Sequence, residues 1–177
     1  MTIYLRMAQC LARTWLAATV SMILLFVGFS ASASSYWQSW QTVGRAELSW
    51  GFWEIYDSEL RTPDGTYSFD QQELALVIRY RRDIDEEDLL EATDKQWIHL
   101  GIPQSMRKQW LRELSIIWPD VKKGDRLIFV LNAQGAAFYQ GNRLLGKVES
   151  EEMAKAFLGI WLSPQTAYPE MRRRLIG

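Results

Sequence analysis

Cysteine and histidine are nearly missing from this chain: its 177 residues hold one of each, Cys10 and His99. Cys10 precedes the long apolar run at residues 16–29, so the sequence beyond that run has no thiol. Disulfides, thiolate metal sites and a cysteine nucleophile are thereby excluded from it. His99 has no second histidine with which to share a metal and no triad partners, so it reads as structural or surface. An excess of one charge is lacking too, with Lys+Arg at 20 against Asp+Glu at 21, which argues against nucleic acid as a partner. No catalytic motif is evident, and neither a metal nor a cofactor is expected.

Also absent is an apolar run long enough to cross a membrane comfortably. Leu16 to Phe29 falls short of the roughly 20 residues a span needs. Arg6 and Arg13 lie ahead of it, no acidic residue occurs before Glu47, and Ala31-Ser32-Ala33 gives a small-x-small cleavage pattern. Residues 1–33 are therefore expected to be a signal peptide, with an uncleaved anchor as the alternative, and 34–177 a single domain. Either way the domain belongs in the periplasm or elsewhere outside the cytoplasm. Removing Arg6 and Arg13 from the 20 basic residues leaves a net charge of −3 against the 21 acidic ones.

Aromatic residues, by contrast, are abundant, and Leu48 to Leu60 (LSWGFWEIYDSEL) concentrates them. Arg45 to Trp50 alternates as a strand. Beyond Gly51, Trp53 and Ile55 change parity, which a one-residue bulge at Gly51 would correct, giving one bent strand or two short ones. Ser34 to Gly44 is polar, aromatic and uncharged, and suits a leading edge strand or extended arm. Thr62-Pro63-Asp64-Gly65 is a turn by composition. In Glu73 to Arg82, Leu74, Leu76, Ile78 and Tyr80 share one face while Ala75, Val77, Arg79 and Arg81 share the other, so the strand is half-buried. Arg79 and Arg81 read as a solvated sheet face or as partners for an anion.

Two helices should follow. The first is capped by Asp83 or Asp85, carries Leu89, Thr93, Trp97 and Leu100 at helical spacing and ends at Gly101. The second has Pro103 in its first turn and a stripe of Met106, Trp110, Leu114 and Ile117. Arg126–Ala133, Ala136–Gln140 and Arg143–Val148 then read as a three-strand meander, with Gly141-Asn142 as a hairpin turn. Ser150 caps a helix striped with Met153, Ala156, Phe157, Ile160 and Trp161, and Pro169 to Ile176 forms a last short helix. Its Arg172-Arg173-Arg174 run is a solvated helix end or a contact for an anionic membrane surface. Strands, two helices, three strands and closing helices indicate an α+β domain, an antiparallel sheet with helices gathered on one side.

The sequence resembles the chalcone isomerase-like family, and its exported bacterial members in particular. The resemblance rests on Gly51–Leu60, Leu74–Arg82, Trp118-Pro119-Asp120-Val121 with Gly124-Asp125, Phe138-Tyr139 with Gly141-Asn142-Arg143, and Ala156–Leu162 with Pro164 and Thr166. It implies an antiparallel sheet curved around a layer of helices, an open-faced β-sandwich with a hydrophobic cleft between the layers. It also implies either of two activities. One is cyclisation of a chalcone, an intramolecular lyase reaction; the other is non-catalytic binding of a fatty acid by a basic residue and a tyrosine at the mouth of the cleft. The threonine of the plant enzymes falls on Gly51 by ungapped count, with Ser49 able to take its role only if a bulge shifts the register, and Lys95 has no tyrosine beside it, so chalcone isomerisation lacks support at residue level.

Three functions remain to be compared. The first is a carrier or sensor of a small hydrophobic, fatty-acid-like ligand, with Trp50, Trp53 and Tyr56 as walls and Arg79 or Arg81 on the anionic head. The second is an isomerase that uses Arg79 or Arg81 with Tyr56 or Tyr80. The third is an envelope interaction module with its aromatics outside. An arginine and a tyrosine facing one enclosed apolar cavity would favour the first two. Oligomeric state is not legible in the sequence.

Overall fold

In a computed structural model of the chain, residues 36–177 are described, and they belong to a unit running from Ser34 to Gly177. The expected signal segment, with its cleavage triplet and Cys10, lies outside the described residues. No helix among the described residues is long and apolar enough to cross a membrane.

Six strands form one antiparallel sheet in chain order: β1 (Gln41–Trp50), β2 (Trp53–Thr62), β3 (Leu74–Tyr80), β4 (Arg126–Asn132), β5 (Gly135–Gln140) and β6 (Arg143–Val148). Four helices accompany it: α1 (Glu86–His99) and α2 (Gln104–Ile117) between β3 and β4, then α3 (Glu151–Leu162) and α4 (Pro169–Ile176) after β6. This is the expected α+β order, with α4 at its expected residues.

The opening aromatic stretch differs from expectation in a way that matters for the site. Gly51 is no bulge. It stands at φ +60° in a two-residue turn, Gly51-Phe52, that joins β1 to β2 as a hairpin with Trp50 opposite Trp53. A positive φ at the first turn residue is a glycine requirement, and such tight turns suit the twist of a hairpin. The bulge lies further along: Leu48 pairs with Tyr56 but Ser49 with Glu54, so Ile55 is the extra residue on β2. As a result Ile55 and Tyr56 both face the helices, where strict alternation would have allowed only Tyr56.

The helix-facing side of the sheet carries the main core. Leu60, Leu76, Ile78, Leu127, Phe129 and Phe138 meet Leu114 and Trp118 from the helical hairpin and its exit, and Phe157, Ile160 and Trp161 from α3. Edge-to-face contacts run from Trp118 through Phe138 and Phe157 to Trp161 and Tyr56, with ring centroids 4.9–6.4 Å apart. Each such pair adds roughly 0.5–1.5 kcal/mol beyond its area. Ser150 caps α3 by accepting from the Met153 backbone N–H at 3.1 Å, which orients the helix that supplies most of this layer. On α1, Asp85 stands at the cap position without bonding, and the Asp120 carboxylate accepts from the Glu86 N–H at 2.9 Å instead.

The far side of the sheet is partly covered as well. From Tyr36 on, the expected leading edge strand is β1, which begins only at Gln41; before it a 3₁₀ turn at Tyr36–Ser39 lays Trp37 over Ala75, Val77, Ile128 and Val130. That cover explains why β3 is buried on both faces up to Ile78, and Arg79 is exposed where it ends.

α4 packs against β1. At Gly44, beside a second bulge, a Cβ atom would run into the Arg174 carbonyl oxygen, so the helix end docks directly on strand backbone.

Candidate functional site

A cleft of about 430 Å³ opens between the helix-facing side of the sheet and helices α1 and α3. Its sheet wall is Leu48, Ile55, Tyr56, Ile78, Tyr80 and Leu127; Leu89, Thr93, Phe157, Ile160 and Trp161 form the helical wall. The same rings that fill the core therefore also form the inner surface of the cleft.

Polar groups in this apolar space are few. The Trp161 indole Nε1–H donates to the Tyr56 hydroxyl oxygen at 3.0 Å, leaving the Tyr56 O–H free to donate elsewhere. The Tyr80 hydroxyl makes no side-chain hydrogen bond among the described residues. Trp118 Nε1 is buried without a partner there. Gln96 donates to the Tyr168 hydroxyl at 3.0 Å at the α1 side. Burial pushes the Tyr56 phenol far above the ordinary tyrosine range, with the Trp161 hydrogen bond opposing; burial alone raises Tyr80, and Tyr168 is raised the same way. These hydroxyls are neutral donors at physiological pH, which suits them to hold an oxyanion rather than to become one.

At the rim stand Arg82 and Lys95 with Asp83, Asp88 and Glu91. Lys95 is paired with Glu91 at 2.6 Å, and Asp83 accepts from the Lys123 backbone N–H at 2.8 Å. Arg82 has no ion pair among the described residues. Its backbone is held on both sides: the Arg81 N–H donates to the Ile55 carbonyl at 2.9 Å, and Asp83 is tied to the 121–125 turn. Residues Leu74, Leu76, Ile78 and Tyr80 share the helix-facing side, and Arg82 continues that alternation. The parity of residue 82 was the sequence signal that could have found it.

The six residues expected from sequence are divided. Tyr56 and Tyr80 line the cleft with ring centroids 6.1 Å apart. Arg79 and Arg81 lie on the opposite face, because strand alternation separates them from Tyr80. There, with Arg45, Arg61, Arg126 and Arg174, they line a second depression of about 480 Å³ that also holds Glu47, Asp57 and Glu59. Arg81 is bound to Asp57 at 2.6 Å, and Arg79 stands opposite Asp57 on β2 and Arg126 on β4. Trp53 is 69 % exposed at the end of the first hairpin, outside both depressions. Trp50 ends β1; its side chain lies outside the described residues. The structure thus brings the two tyrosines together and sets the two arginines apart from them.

His99 places Nε2 3.1 Å from the Gln165 carbonyl, a contact between helix and loop, and among the described residues no group of three or more His, Cys, Asp or Glu could hold a metal.

Comparison with known proteins gives a consistent outcome. The fold resembles the crystal structure of a fatty-acid binding protein of Arabidopsis thaliana, with a TM-score of 0.61 over 78 % of this chain and 87 % of that one, at 8 % identity. An uncharacterized protein of Haemophilus influenzae is 25 % identical over 155 residues, covering 88 % of this chain and 75 % of that protein. Residues 57–177, from the middle of β2 to the end of α4, match the family model described as chalcone isomerase-like, and the chain belongs to that family.

Proposed function

We propose that the protein is an exported, non-catalytic binder of a small apolar anion, with a fatty acid as the type of ligand. One observation carries this reading: an apolar cleft that holds neutral tyrosine hydroxyls inside and an arginine without an ion pair at its rim. The acyl chain lies between the sheet and α3, the carboxylate meets Arg82, and Tyr56 or Tyr80 donates to it. The cleft volume falls in the range of about 300–1,000 Å³ usual for small-molecule sites. The fatty-acid binding protein of like fold supports the same direction. Neither Gly51, where the plant enzymes' threonine falls by ungapped count, nor Ser49, where a register shift would put it, lines the cleft, which favours a carrier over an isomerase. Export follows from the apolar run and cleavage triplet read in the sequence.

The test is to express the full chain, recover the protein from the cell envelope, and combine native mass spectrometry with lipid extraction. A stoichiometric fatty acid, and a melting temperature that rises across part of a fatty-acid panel, are the expected results. No bound lipid together with an unchanged melting temperature over the whole panel would overturn the proposal.

A further inference from the structure

The first hairpin ends in aromatic residues that the fold does not use. Phe52 is fully exposed and Trp53 is 69 % exposed, on a turn that Gly51 holds tight. From Leu48 to Trp53 the chain carries no charge. Two positions behind the Trp50 and Trp53 pair, on each strand, stand Leu48 and Ile55, and both line the cleft. The tip is therefore continuous with one lip of the cleft, and Arg82 lies at this same end, beside the Arg81 N–H bond to Ile55.

We infer that the Gly51–Trp53 hairpin tip inserts into the interfacial layer of a lipid bilayer and passes the apolar ligand between membrane and cleft. This rests on the carrier reading above. Size selects the occupant. Two aromatic side chains offer at most about 500 Å² of surface, well below the roughly 800 Å² per partner that a stable protein interface uses. A second copy or a protein partner would thus find too little to hold. A membrane interface needs no such area, because an indole ring gains by sitting at headgroup depth and a phenyl ring by burial at the headgroup/acyl boundary. The residues just behind the tip, Glu47 and Glu54 with Arg81 and Arg82, nearly balance in charge, so the contact is carried by the rings and responds little to salt.

Phe69, in the loop joining β2 to β3, is also strongly exposed but sits at the opposite end of the sheet, which makes it an internal control. The experiment uses the full chain as recovered from cells, with Cys10 changed to serine and either Phe52→Cys or Phe69→Cys carrying an environment-sensitive nitrobenzoxadiazole label. With phosphatidylcholine vesicles, the label at 52 should brighten and be quenched by shallow spin-labelled lipid, in low salt and in about 0.5 M salt alike, while the label at 69 should not respond. In the unlabelled protein, the rate of transfer of a fluorescent fatty acid should rise in proportion to vesicle concentration. The double change Phe52→Ser with Trp53→Ser should slow it about tenfold, with ligand affinity and melting temperature retained. No response at 52, equal responses at 52 and 69, or a response at 52 that follows protein concentration without vesicles would overturn the proposal. If instead the carrier reading fails, no fatty acid binds and transfer cannot be seen, yet the labels still report whether the tip meets the bilayer.

Discussion

Trp161 on α3 and Tyr56 on β2 meet through a single buried hydrogen bond, indole N–H to phenol oxygen at 3.0 Å, across 105 residues of sequence. It ties the helical layer to the sheet at the inner wall of the cleft. Changing Tyr56 to Phe removes the acceptor and leaves the indole donor buried and unpaired, a cost of about 1–3 kcal/mol. For a domain of this size that lowers the melting temperature by about 2–4 °C per kcal/mol. Trp161→Phe should also destabilise, and the double variant should be less unstable than the sum of the two. Denaturant unfolding of all four proteins reads this coupling; simple additivity would show that the bond contributes nothing of its own.

The two arginine locations predict opposite phenotypes. Arg82→Ala removes the rim cation that has no ion pair and should weaken fatty-acid binding about tenfold, the scale of a charge-assisted hydrogen bond. Arg79→Ala and Arg81→Ala, on the far face of the sheet, should leave affinity within about twofold. Isothermal titration with one fatty acid on the three variants separates the faces directly, and the reverse ranking would move the anion site to the other side of the sheet.

Glu59 sets an acid limit. Burial pushes its carboxyl up, but hydrogen bonds from Thr42 and Arg61 and the charges of Arg61 and Arg45 outweigh burial and hold it below the ordinary glutamate value. Since the folded state depresses this pKa, the stabilisation is present above the unfolded value of about 4.3 and is lost as pH falls through the folded one. Wild-type stability should therefore drop more steeply than that of Glu59→Gln between about pH 5 and pH 3. Thermal unfolding across that window checks it; parallel curves would assign the acid sensitivity to other carboxylates.

Gly44 is predicted to be intolerant of even one carbon. A Cβ there would run into the carbonyl of Arg174 and approach that of Leu175 to 2.7 Å, and backbone cannot swing aside as a side chain can. Gly44→Ala should destabilise by about 1–3 kcal/mol, the range of overpacking. It should also raise amide exchange selectively in α4 and β1. Uniform exchange with unchanged stability would mean that α4 docks elsewhere.

Much of the architecture was legible because its signals are local. The stripes of α1, α2 and α3 repeat at helical spacing, Ser150 and Pro169 mark helix starts, and Gly141-Asn142 marks a hairpin. Two features were not. Gly51 suits the first position of a two-residue turn but Phe52 marks none, so the composition alone fits a bulge as well as a reversal, and the true bulge at Ile55 has no residue signature because it is set by pairing across to Leu48 and Ser49. The site was half legible. Alternation puts Tyr80 and Arg79 on opposite faces, so an anion site that joins them by chemistry alone conflicts with strand geometry. Arg82 went unselected because it lies just past the end of β3, where a strand's facing can be extrapolated only once its end is known.

Each strand of the sheet neighbours the next in sequence, so pairing can begin with β1 and β2 and extend strand by strand in chain order. The contact of α4 with β1 is different, since it joins residue 44 to residues 174 and 175. The first strand formed must wait for the last helix made before this contact is complete. Until that helix is made, the residues of β1 lack the partner that packs against them.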